Sequence, residues 1–171
     1  MMKLKKYQMF IDGEWLDSDT KKTFKTLNPE NNEPWAEVPE ASTKDVDKAV
    51  KAAQKAFEGK WSSLFPKERA KYLKAIANEL RDNSELLGKI ETIDTGKLYK
   101  ETKTQANYIA EYYDYYAGLA DKVEGTVLPI DKPNMQVITT RVPIGVVAAI
   151  IPWNSQMLLT AVKLAPALAM G

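Results

Sequence analysis

At 171 residues, with 27% charged and 44% apolar side chains, the chain is about one domain long and has an ordinary globular balance rather than a disordered one. A formal net charge of +1 argues against nucleic acid, which would want a basic stripe or patch. The chain has no cysteine and no histidine. That excludes disulfides, thiolate nucleophiles, the usual zinc sites and the commonest general base at neutral pH, leaving carboxylates, lysine, tyrosine and hydroxyls to carry any chemistry.

Met1-Met2-Lys3-Leu4-Lys5-Lys6 is briefly basic, but no apolar core of a signal peptide follows it. No stretch approaches the roughly 18 apolar residues of a membrane span, so the expected compartment is the cytoplasm and no membrane partner is expected. Met9 to Trp15 carries Asp12-Gly13 between two short apolar segments, a hairpin signal with a tight primed turn. Thr23 to Leu27 is the next expected strand, Glu30 to Glu33 a turn, and Trp35 to Val38 a strand ending at Pro39. Together they predict a small antiparallel layer at the edge of a domain.

Ser42-Thr43-Lys44-Asp45 has the form of a capping box. Val46, Ala49, Val50, Ala53, Ala56 and Phe57 follow at helical spacing until Gly59. Pro66 fits the first position of a second helix with Ala70, Leu73, Ile76, Ala77 and Leu80 inward. Ser84 is the expected cap of a third, which carries Glu91 and Asp94 on neighbouring turns and stops at Thr95-Gly96. A longer helix is expected from about 101 to 121, with Ala106, Ile109, Ala110, Tyr113, Ala117 and Ala120 as its apolar stripe. Its four neighbouring tyrosines, Tyr112, Tyr113, Tyr115 and Tyr116, are read as core packing with hydroxyls reaching polar partners rather than as an aromatic cage.

From Gly125 the texture changes. Thr126 to Ile130, a turn at 131–134, and an alternating Met135 to Arg141 predict a hairpin with one apolar and one polar side, an edge that invites pairing unless covered. Ile144 to Ile151 is an unbroken, β-branched apolar run stopped by Pro152, as a parallel strand buried on both faces would be. Asn154 lies between it and an apolar helix. It is either an N-cap or a polar group at the carboxyl end of a strand, where open α/β sheets bind ligands. Pro166 should kink or restart that helix, and Lys163 is read as a snorkelling lysine or half of an ion pair.

Several short motifs, in this order and spacing, resemble the NAD(P)-dependent aldehyde dehydrogenase superfamily. They are Ile11-Asp12-Gly13-Glu14-Trp15, Asn28-Pro29, Asp94-Thr95-Gly96-Lys97, Tyr116-Ala117-Gly118, Pro152-Trp153-Asn154 and Lys163 to Ala169. The resemblance implies an α/β fold, the N-terminal portion of a Rossmann-type cofactor domain. Residues 1–124 would be its strand layer and helices, 125–142 part of a β-hairpin oligomerisation arm, and 143–171 the first parallel strand and following helix. It implies oxidation of an aldehyde to an acid with NAD or NADP, and a homo-oligomer or a C-terminal companion chain as partner. Asn154 matches the oxyanion-stabilising asparagine, and Ile150, Ile151, Pro152 and Trp153 match the cofactor wall. Thr26 and Asp94 match positions that help hold a monovalent cation in some members, against a plain reading as a turn threonine and a helix-end aspartate.

The family's nucleophilic cysteine, glutamate base, ribose-binding residues and glycine turn match nothing here. The chain is therefore expected to be an inactive N-terminal fragment, with half of a split enzyme, or an interaction module using the 126–141 hairpin, as alternatives. Ser155-Gln156 departs from the aromatic residue that many relatives carry after the asparagine.

Overall fold

The computed structural model describes residues 4–171. In chain order they form β1 (Lys5–Lys6), β2 (Met9–Ile11), β3 (Glu14–Leu16), β4 (Thr23–Asn28), β5 (Glu33–Pro39), α1 (Thr43–Ala56), a π-helical turn (Phe57–Trp61), α2 (Pro66–Asp82), α3 (Ser84–Thr95), α4 (Tyr99–Leu119), β6 (Val127–Leu128), β7 (Val137–Ile138) and α5 (Gln156–Met170).

The strands lie where the turn chemistry puts them. Asp12 and Gly13, at φ 52° and 84°, make the primed turn that joins β2 to β3, pairing Met9 with Leu16 and Ile11 with Glu14. β4 and β5 pair antiparallel, from Thr23 against Pro39 to Asn28 against Glu33. The layer is not purely antiparallel, however. β1 adds to the free edge of β5 in parallel, Lys5 against Ala36, giving the order β1-β5-β4. Two lysines carry too little apolar pattern to announce a strand, so the edge they join had to be seen first.

The helices follow their caps. At α1, the Ser42 side chain accepts from the Asp45 backbone and the Asp45 carboxylate accepts from the Ser42 backbone, a complete capping box. Pro66 opens α2 at its first turn, where the missing N–H costs nothing. Ser84 does not cap α3. Asn83 holds the cap position without a side-chain bond, and Ser84 is already helical and buried. The α2–α3 junction is too short for an extended capping serine, because Asn83 closes on Glu79 through its own N–H.

The core is built around α4, which packs against α2, α3 and α5. Its stripe Ala106, Ile109, Ala110, Tyr113, Ala117 and Ala120 is buried, as the spacing predicts, against Leu73 and Ala77 of α2 and Ala161, Ala165 and Ala169 of α5. Alanines on α5 and α4 let the two helices approach closely. Gly88 does the same for α3, since a Cβ there would stand 2.8 Å from the Lys103 backbone nitrogen, and its carbonyl accepts from the buried Thr102 hydroxyl at 2.9 Å. Of the tyrosines, Tyr113 is in the core, Tyr115 is exposed, and Tyr112 donates to Tyr116 at 3.5 Å. That bond first, and burial second, push the Tyr112 phenol up to about 12. α5 passes through Pro166 without restarting, because its alanine face is held on α4 on both sides of the proline.

Two expectations fail for one reason. Ile144 to Ile151 forms no strand, and no described strand lies beside it. Ile144 is 90% and Ile150 93% exposed, and Gly145 at φ 101° turns the backbone out of an extended path. A parallel strand exists only through neighbours on its edges, and the described residues offer none. Likewise the expected strand from Met135 to Arg141 shrinks to Val137–Ile138, paired with Val127–Leu128 and largely exposed.

Candidate functional site: the turn at Asn154

Asn154 lies in a turn between the unpaired apolar segment and α5, and its side chain is exposed. It is not the helix cap. Ser155 occupies that position, at φ −163° and ψ 60°, and gives the helix no side-chain cap. No described residue hydrogen-bonds the Asn154 carboxamide, so both of its amide hydrogens are available to a ligand.

The ground beneath this turn is polar and specific. Gln156 donates to Asp94 Oδ2 at 2.8 Å. Asp94 Oδ1 accepts from the Thr26 hydroxyl at 2.7 Å and from the Trp35 indole at 3.3 Å. The Lys97 ammonium donates to the Ser155 hydroxyl and stands 3.3 Å from Glu91 Oε1, whose side chain is only 2% exposed. Thr26 and Asp94, paired in the sequence reading, are thus brought together, but as a tie between β4, the end of α3 and the start of α5. Both Asp94 oxygens accept from protein donors; Asp94 is in the last turn of α3, as the plain reading has it, whereas Thr26 lies within β4 rather than in a turn.

Ile150, Ile151, Pro152 and Trp153 run into the turn as a mostly exposed apolar ridge, with Trp153 78% exposed. An apolar wall next to one neutral donor suits a flat, weakly polar ring such as nicotinamide. Phosphates need a nest of backbone N–H groups or a cationic cradle, and among the described residues no glycine turn leads into α5. These side chains offer an apolar face and one neutral donor, and no cradle for phosphates. Beyond the turn, a groove of about 710 Å³ lined by Leu98, Glu101, Gln105, Tyr108 and Leu158 runs from the start of α4 to the first turn of α5.

Glu91, Lys97, Trp35 and Gln156 escaped the sequence reading as parts of the site. The available signal was Thr95-Gly96-Lys97. Gly96 ends α3 at φ 76°, and that reversal brings Lys97 back onto Glu91, six residues earlier.

Comparison with known proteins agrees with this architecture. The model of the aldehyde dehydrogenase family matches residues 15–171. The chain is 48% identical over 169 residues to (Z)-2-((N-methylformamido)methylene)-5-hydroxybutyrolactone dehydrogenase of Acinetobacter baylyi, covering 98% of this chain and 34% of that protein. It is 42% identical to betaine aldehyde dehydrogenase of Bacillus subtilis over 95% of this chain and 34% of the relative. Among solved structures, betaine aldehyde dehydrogenase of Staphylococcus aureus in complex with NAD+ superposes with a TM-score of 0.90 at 39% identity, over 96% of this chain and 33% of that one. An aldehyde dehydrogenase of Bacillus cereus gives 0.91 at 38% identity, over 96% and 34%. The fold is therefore a mixed α/β one that matches about a third of the length of aldehyde dehydrogenase structures. The chain belongs to the aldehyde dehydrogenase family, and it spans about a third of the length of the curated relatives that it matches. No described helix is long and apolar enough to cross a membrane.

Proposed function

We propose that this chain supplies the oxyanion donor and the nicotinamide wall of an NAD(P)-dependent aldehyde dehydrogenase whose nucleophile and base come from outside these 171 residues. The observation that carries the proposal is the free, exposed carboxamide of Asn154, poised at the end of an apolar ridge on a turn tied to the core. When a thiolate adds to an aldehyde, negative charge gathers on the carbonyl oxygen. A neutral N–H donor fixed before the reaction lowers that barrier without having to reorganise. Asn154 keeps this capacity at every working pH, because an amide does not titrate in the range. Ile150, Ile151, Pro152 and Trp153 would exclude water and hold the nicotinamide ring flat. The bound cofactor would supply the hydride acceptor. NAD and NADP are both compatible with these residues, and the cytoplasm is the proposed compartment.

With no cysteine in the chain, purified protein given NAD+ and aldehydes is expected to produce no NADH. Co-expression with the remaining two-thirds of the Acinetobacter relative tests the proposal. A complex that reduces NAD+ with aldehyde is expected, and NADH formation by this chain alone would overturn it. A second reading, in which the chain binds related subunits without catalysis, is favoured by the exposed hairpin edge of Val127, Leu128 and Ile138. In that case co-purification with a full-length relative would be lost when Val137 or Ile138 is replaced by aspartate.

A further inference from the structure

We infer that Lys97 and Asp94 are positioning residues for the Asn154 carboxamide, acting through Ser155 and Gln156. The inference rests on the proposed role of Asn154, and four observations lead to it. The segment before Asn154 has no strand ladder and is mostly exposed, so nothing upstream fixes the turn. The two residues immediately after Asn154 are each gripped, Ser155 by the Lys97 ammonium and Gln156 by Asp94 Oδ2 at 2.8 Å.

Both grips are themselves anchored. Glu91, buried in α3, pairs with Lys97 at 3.3 Å, while Thr26 of β4 and Trp35 of β5 hold Asp94. Finally, Ser155 forgoes the bond that a serine at a helix cap ordinarily makes to its own helix; its hydroxyl meets Lys97 instead.

A donor that must meet developing charge has to be held within a fraction of an ångström by groups whose own positions are locked. The corner after α3 provides that hold. The sheet fixes Asp94 and the helical core fixes Lys97, and their two bonds set the backbone on which the Asn154 amide hangs. A purely structural role, stapling α5 to α3, would affect α5 as a whole. A positioning role is local to the turn.

Nitrogen-15 relaxation of the full chain separates the two. The Asn154 backbone and side-chain amides are expected to be ordered in the unaltered protein. In Lys97→Met and in Ser155→Ala their order parameters should fall from about 0.85 to below about 0.6, while Leu159 and Ala161 of α5 keep theirs. Lys97→Arg should restore the Asn154 values. An Asn154 that stays equally ordered in Ser155→Ala overturns the inference, as does loosening of α5 together with the turn. Lys97→Met leaves Glu91 buried without its cation, which can unfold a protein. If it does so here, Ser155→Ala, which spares that pair, decides alone. The readout is order rather than turnover, so this inference can fail while Asn154 still donates to an oxyanion, and loss of the proposed function is read separately, from turnover.

Discussion

Asp45 ties three pieces of chain together with one carboxylate. It accepts from the Ser42 backbone at 2.8 Å, from the Ser18 hydroxyl at 3.1 Å and from the Asp19 backbone at 3.1 Å, locking the loop after β3 onto the start of α1. The Ser42 backbone bond above all holds the Asp45 carboxyl below the usual carboxylate range, against the opposing pull of burial. A group with a folded pKa below its unfolded value of about 3.9 stabilises the fold above that pH, and the contribution disappears as pH falls through the lowered folded value. Acid titration of stability should therefore show a loss below about pH 4 that is smaller in Asp45→Asn, as urea midpoints across pH would reveal. Asn154 is the opposite kind of residue, bonded to no described group. Asp45 was legible in the sequence because a capping box is local. The ties of Asp94 span 59 to 68 residues; the family resemblance pairs it with Thr26, while the local pattern of a single sequence holds no signal for the contacts to Trp35 and Gln156.

At the scale of elements, α4 and α1 share the same periodic pattern and meet different fates. The stripe of α4 is buried, whereas Val46 and Val50 of α1 remain 54% and 49% exposed. Periodicity shows which face of a helix is apolar and leaves open what covers it. Thermal or urea unfolding should separate the two. Ile109→Ala is expected to cost about 2–5 kcal/mol, the usual range for emptying a core site. Val50→Ala should stay within about 0.5 kcal/mol, as surface changes do. Gly88→Ala should destabilise by about 1–3 kcal/mol, because the added methyl meets the backbone of α4 rather than a side chain that can swing away. Turns, helix stripes and every expected cap but Ser84 were readable for the same reason: they are decided within a few residues. The run from Ile144 to Ile151 reads as a strand of a parallel sheet, yet no strand forms there among the described residues. Its composition is that of a strand, but composition does not supply neighbours.

Across the whole molecule, much apolar surface is uncovered. The stripe of α1, the ridge from Ile144 to Trp153 and the hairpin edge at Val127, Leu128 and Ile138 all lie open, and a Cβ added at Gly145 of the ridge would stand 3.9 Å from the Phe57 ring just beyond α1. Exposed apolar surface on this scale marks places for further protein, in keeping with a chain that spans about a third of its relatives. The family pattern made this legible from short motifs, while the polar floor under Asn154 emerged only when β4, β5, α3 and α5 were brought together. The most direct measurement is the rate at which the cysteine is acylated in the hybrid formed with the remaining two-thirds of the Acinetobacter relative, comparing Asn154 with Asn154→Ala. If the carboxamide holds the developing oxyanion, that rate falls on the order of 10²–10³-fold while aldehyde binding changes little. An acylation rate unaltered by the substitution would contradict it.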